Sequence, residues 1–207
     1  MNFLKLTLVG DGSSDACLVP VIHWIMSNSF PDASFRVEFA RNLPPLREGL
    51  GSRIGAAYRC YPCDVLVVHR DAERETFQKR SDEITKATAG INVPIVPAIP
   101  VRMLESWLLC SEEAIRIAAD NPSGENPLNL PAIGHVESTP DPKELLFDAL
   151  RGASELSGRR LTRFRVEQRR HRVAELIEDF APLRSLTSFQ EFENAFVATL
   201  APMIKQE

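Results

Sequence analysis

No window of the sequence reaches the roughly 18 uncharged apolar residues that a bilayer span requires, so no integral membrane helix is expected. The opening "MNFLKLTLVGDGSSD" has neither a basic leader region nor a small-residue cleavage motif, and the chain reads as a cytoplasmic protein without a signal peptide. Cysteine is scarce: Cys17, Cys60, Cys63 and Cys110 are the whole set. Only "CYPC" has a ligand-like spacing, and no second Cys or His pair completes a zinc site. That pair precedes a strand, whereas a thioredoxin-type pair follows one and opens a helix, so a structural role is expected for it. The turn "GDGSSD" lacks the lysine and glycine spacing of a P-loop, which argues against phosphate binding of that kind. Internal repeats and low-complexity tracts are missing too.

What is present suits one α/β domain. The chain has 207 residues, 44% of them apolar, enough to bury a sizeable core. Its net charge of −4 does not announce a nucleic-acid binder, but the charge is unevenly spread. "GRRLTRFRVEQRRHR" (158–172) carries seven arginines and one glutamate, a local +6 that leaves −10 on the remainder. Arg159, Arg160, Arg163, Arg169 and Arg170 are therefore candidate phosphate contacts, since the guanidinium fork matches phosphate geometry. The competing reading is a solvated helix that docks through Leu161, Phe164, Val173, Leu176 and Ile177.

Along the chain, strands alternate with helices. "FLKLTLV" (3–9), "FRVEF" (35–39), Val65 to His69 and "NVPIVPAIP" (92–100) read as strands. Pro94 and Pro97 cannot donate to a ladder, which predicts an edge position for the last of these. Helices are expected over 15–29, with a kink at Pro20, then over 44–60, 74–89 and 103–119. This order predicts a parallel sheet covered on both faces. Beyond residue 120 a Pro/Asn/Gly-rich loop leads into helices at 142–152, 159–179 and 188–200, which suggests a core of residues 1–120 with a helical extension, 121–207, packed on it.

Acidic residues stand where strands end. Asp11 follows the first strand, and Asp71 and Glu73 follow the third, in "CDVLVVHRDAERE". Ligands of open parallel sheets bind outside the carboxyl ends of the strands. Residues i and i+2 of an extended segment point the same way, so Asp71 and Glu73 can share a target. If the first and third strands are neighbours, Asp11 converges on the same edge, and Asp11, Asp71 and Glu73 together are hard oxygen donors that suit Mg²⁺. The plainer alternative is helix capping and local pairing with Arg70 or Arg74. His69, inside an apolar strand, reads as a satisfied core histidine, His171 as a surface residue, and Glu105 as either a site residue or a helix-terminal charge.

An acidic-Gly turn after the first strand and an acidic-x-acidic pair after a later one are similar to the Toprim domain of topoisomerases, primases and nucleases of the overcoming-lysogenization-defect type. Taken in order, "GDGSSDACLVPVI", "VLVVHRDAE", "VPAIPVRMLESWLL" and "SLTSFQEFENAF" more closely resemble the Toprim-like family catalogued as domain of unknown function 4276, over about residues 4–196. The resemblance implies Asp11 as general acid/base, Asp71 and Glu73 as metal ligands, and Glu105 as a further acidic member of the site. It also implies a Mg²⁺- or Mn²⁺-dependent nuclease acting on DNA or RNA, paired with an ATPase of the AAA or structural-maintenance type in bacterial anti-phage defence, and it is compatible with a homo-oligomer. Where the family pattern has Glu and then Asp-x-Asp, this chain has Asp11 and then Asp71-x-Glu73. One carboxylate is a methylene shorter and another a methylene longer. The exchange either preserves their combined reach or marks a regulatory subunit that keeps the fold without turnover.

Overall fold

The computed structural model describes residues 3–204. Four strands form one all-parallel sheet: β1 (Leu4–Val9), β2 (Phe35–Phe39), β3 (Val65–His69) and β4 (Ile95–Ala98), in the order β2-β1-β3-β4. The fold is α/β. Helix α1 (Leu18–Ser29) links β1 to β2, α2 (Leu50–Cys60) links β2 to β3, and α3 (Phe77–Ala87) links β3 to β4. The chain turns one way from β1 to β2 and the other way to reach β3, so the topological switch lies between β1 and β3.

Alternation along the strands divides the core in two. Leu4, Leu6, Leu8, Val65, Val67, Val96 and Ala98 face α1 and the C-terminal helices. Val9, Leu66, Val68 and Ile99 face Leu50, Ile54 and Ala57 of α2 and Ile84 of α3. Both faces are covered, which is why β3 is buried throughout and runs apolar from Val65 to Val68 rather than alternating. β4 lies at the sheet edge, where Pro97 leaves no inner ladder position unsatisfied.

Several helices differ from the pattern expected. The chain from Ser13 to Cys17 is a 3₁₀ turn, so α1 starts at Leu18 and Pro20 falls in its first turn, where its missing N–H costs nothing. The expected helix at 103–119 is two pieces, α4 (Glu105–Leu108) and α5 (Glu112–Ala118). Trp107, Leu108 and Leu109 are consecutive and all buried, which one amphipathic stripe cannot accommodate; Ser111 then recaps the chain by accepting the Ala114 N–H. The basic segment also divides, into α7 (Gly158–Thr162) and α8 (Val166–Leu176), because α7 buries nothing that would hold it in line. Helices α6 (Pro142–Ser154) and α9 (Thr187–Ile204) complete the order. The helical extension shares its main core cluster with β1, β3 and β4.

Candidate active site at the carboxyl edge of the sheet

The loop after β1 is built around Asp15. Its Oδ2 accepts the N–H groups of Asp11 (2.6 Å) and Gly12 (3.1 Å), and its Oδ1 accepts the Ser14 hydroxyl. A Cβ on Gly10 would stand 2.6 Å from Asp15, so the close approach requires glycine there. Asp15 is thus committed to the turn, and Asp11 is the carboxylate the turn presents. Its Oδ1 lies 3.3 Å from Nη1 of Arg70. Burial, reinforced by the Asp15 and Asp71 charges, pushes the Asp11 carboxyl above its ordinary value against the pull of Arg70 and His69.

The end of β3 supplies the facing groups. Arg70 points to the side of α3 and also meets Glu83 at 3.4 Å. His69 and Asp71 take the other side, two residues apart. His69 Nδ1 donates to the Ala98 carbonyl (3.1 Å), while its Nε2, fully buried, makes no hydrogen bond. That nitrogen stands 3.4 Å from Asp71 Oδ1 and 3.8 Å from Asp15 Oδ2, an ion-pair geometry out of line for a hydrogen bond. Burial would lower the imidazole pKa, but contact with Asp71 and the fields of Asp15, Asp71 and Asp11 outweigh it and raise it to about 9. His69 is therefore a buried counter-ion, not the satisfied core residue its apolar strand suggests. Asp71 Oδ1 also accepts the Leu104 N–H at 2.8 Å, and its Oδ2 has no hydrogen-bond partner among the described residues.

Glu73 does not join this group. It has φ +55°, and its N–H donates to the carbonyl of Arg102, itself at φ +63°. The left-handed residue breaks the extended geometry that would have aligned it with Asp71. Its carboxylate is exposed and meets Arg80 at 3.2 Å. Arg80 also donates to the Asp71 carbonyl and to Glu83, fastening the loop.

Glu105 does reach the cluster. It is 8% exposed at its side chain and accepts from Nη1 of Arg170 at 2.5 Å. Asp15, Asp71 and Glu105 line a cleft of about 130 Å³ together with Lys143 and Arg170. Three carboxylates thus face two cations, and Lys143 has no carboxylate within ion-pairing distance among the described residues. Nearby, Cys17 stands 3.4 Å from Nδ1 of His171. Burial holds the thiol up at about 12, so it is the donor and no thiolate nucleophile forms; His171 is half-buried rather than a surface residue. All four cysteines are free thiols.

The arginines of the basic segment separate into two sets. Arg169 and Arg172 both pair with Asp120, and Arg170 pairs with Glu105. Arg159, Arg160, Arg163 and Arg165 are exposed and form no ion pair among the described residues. The sequence therefore signalled Asp11, Asp71 and Glu105, marked Arg170 as a phosphate contact without its pairing to Glu105, and missed His69, Asp15 and Lys143. The His69–Asp71 spacing was the available signal, since residues two apart on a strand share a face.

No group of three or more His, Cys, Asp or Glu side chains is arranged to hold a metal ion among the described residues. Mg²⁺ needs no such group, because it takes one or two carboxylates and completes its shell with water and phosphate. Asp11 and Asp71, each with an oxygen uncommitted to the protein, fit that lighter requirement. Among the described residues no helix is long and apolar enough to cross a membrane. No family model, curated protein or solved structure matches the chain.

Proposed function

We propose that the chain is a Mg²⁺- or Mn²⁺-dependent hydrolase of nucleic-acid phosphodiester bonds, with Asp11 and Asp71 as the cation's protein ligands. The observation that supports this most is the placement of these two carboxylates on the loops after β1 and β3, on either side of the topological switch. The ion would neutralise charge on the scissile phosphate and make a bound water more acidic. The protein's own contributions follow from the contacts described. The Leu104 N–H fixes Asp71 through one oxygen and leaves the other to a ligand. Asp11, its pKa raised by burial, is suited to take and return a proton. Lys143 and Arg170, on the rim of the adjoining cleft, would meet the phosphate's negative charge. The Toprim resemblance supports Asp11 as general acid/base and Asp71 as a metal ligand, and it supports an ATPase partner in anti-phage defence.

The test is cleavage of plasmid, single-stranded DNA and tRNA with Mg²⁺ or chelator, with and without a neighbouring ATPase. Asp71→Asn keeps the acceptor for Leu104 and removes the charge, so cleavage should fall by about 100-fold or more with the melting temperature held. Cleavage that survives the substitution, or that persists in chelator, refutes the assignment.

A second reading, a binding subunit without turnover, is favoured by one observation. Asp11, Glu73 and Glu105 each meet an arginine, and His69 already serves as a cation between Asp71 and Asp15. A site so neutralised is stable without a metal. Titration of Mg²⁺ against melting temperature separates the two readings, because an ion that binds only the folded state raises it by mass action.

A further inference from the structure

Beside the acidic cluster lies a cleft of about 830 Å³ that the proposed hydrolysis does not use. It opens between α1, the carboxyl end of β2 and α8, and it borders the Gly12–Ser13 turn that also presents Asp11. Its volume lies within the ~300–1,000 Å³ of small-molecule sites. Val19 and Pro20 of α1 and Val37 and Phe39 of β2 give it an apolar lining; the last two, i and i+2 on a strand, share one face.

The polar lining is cationic. Arg53 is 8% exposed, yet it has no carboxylate within ion-pairing distance among the described residues. Its Nε and Nη1 donate to the carbonyls of Gly10 (2.7 Å) and Pro44 (2.6 Å), and its Nη2 has no hydrogen-bond partner among the described residues. A guanidinium withdrawn from water without a counter-charge is costly, and an anion in the cleft removes that cost. Arg41 lines the same cleft, its guanidinium forming neither hydrogen bond nor ion pair among the described residues. His171 adds a donor: with Nδ1 accepting the Cys17 thiol, its N–H sits on Nε2. Glu175 is the one carboxylate in the lining.

We propose that this cleft binds a mononucleotide, with its phosphate on Arg53 and Arg41 and its base against the Val37–Phe39 wall. A mononucleotide joins in one molecule the three features the lining asks for: a negative charge for the arginines, a flat apolar body for the wall, and an amino or imino edge for Glu175. A simple aromatic carboxylate would offer Glu175 only repulsion. The site stands independently of the metal reading.

The experiment is calorimetric titration of the whole chain in chelator with adenosine 5′-monophosphate, adenosine and inorganic phosphate as probes. The monophosphate should bind saturably, and adenosine and phosphate should each bind at least about tenfold more weakly, the scale of one charge-assisted hydrogen bond. Arg41→Glu, at an exposed position, should weaken the monophosphate by a similar factor with the melting temperature unchanged. Arg53→Lys tests the buried charge while keeping its sign, and should weaken binding by losing the fork. Asp71→Asn, which disables the proposed metal site, should leave binding unaltered. The proposal is overturned if the monophosphate does not bind saturably, if phosphate alone binds as tightly, or if Arg41→Glu has no effect. Loss of binding in Asp71→Asn overturns it as well, by placing the nucleotide on the acidic cluster.

Discussion

A histidine buried beside three aspartates titrates by the balance between desolvation and Coulomb attraction, and for His69 attraction prevails. Its folded pKa of about 9 lies above the ordinary 6.5, so the pairing stabilises the fold fully below pH 6.5. That contribution then declines as pH rises and is gone above about 9. Unfolding free energies from denaturant titration in chelator across this window should fall with rising pH for the parent, by an amount on the order of a few kcal/mol, and should be flatter for His69→Gln. A parent profile as flat as the variant's would mean that the imidazole is neutral in the fold. The neighbouring carboxylates divide by their backbone. Asp71, fixed by the Leu104 N–H, is the carboxylate the proposed cation would meet, whereas Glu73 is turned outward at φ +55°. Glu73→Ala should therefore leave any Mg²⁺-induced rise in melting temperature intact and cost under ~1 kcal/mol, the worth of an exposed pair with Arg80.

At the scale of elements, two of the stretches that carry the Toprim resemblance meet each other rather than the site. Trp107 of α4 donates from Nε1 to the Ser188 hydroxyl of α9 (3.2 Å), and Ser188 donates through both N–H and hydroxyl to Glu137. Phe189 packs edge-on against the indole and Phe192 stacks on it. The "ESWL" and "TSF" segments are thus a brace between the α4 turn and the C-terminal helix. Ser188→Ala leaves the buried indole N–H without an acceptor and should destabilise the fold by about 1–3 kcal/mol. Adding Trp107→Phe removes the stranded donor, so the double variant should lose less than the two single losses combined; simple additivity would deny that these groups share one network. The same elements show what the sequence could reveal. Strand alternation is local, and two prolines sufficed to put β4 at the edge. The breaks within 103–119 and 159–179 depend on which residues the rest of the molecule buries. Glu73's left-handed turn depends on a hydrogen bond to Arg102, on the next strand's loop, and no spacing within "RDAERE" encodes it.

Over the whole molecule, charge is sorted by what it can pair with. Of the seven arginines in residues 158–172, Arg169, Arg170 and Arg172 are paired with Asp120 and Glu105, tying α8 to the site and to the end of α5. Arg159, Arg160 and Arg163 stay exposed on and beside α7, an element that buries no residue of its own. These three, with exposed Arg165 at the junction of α7 and α8, form no ion pair among the described residues and keep their charge for an anionic partner. An acidic protein repels nucleic acid everywhere except at such a patch, so the patch should govern both affinity and its salt dependence. Replacing all three with glutamate should leave the melting temperature unchanged, weaken binding to DNA or RNA, and lower the slope of log K against log salt by about 0.7–0.9 for each phosphate no longer neutralised. Arg170→Glu should behave differently, destabilising the fold by placing a second carboxylate against buried Glu105. If the triple variant binds nucleic acid with the parent's affinity and salt slope, α7 is a solvated surface and the anionic partner belongs elsewhere on the molecule.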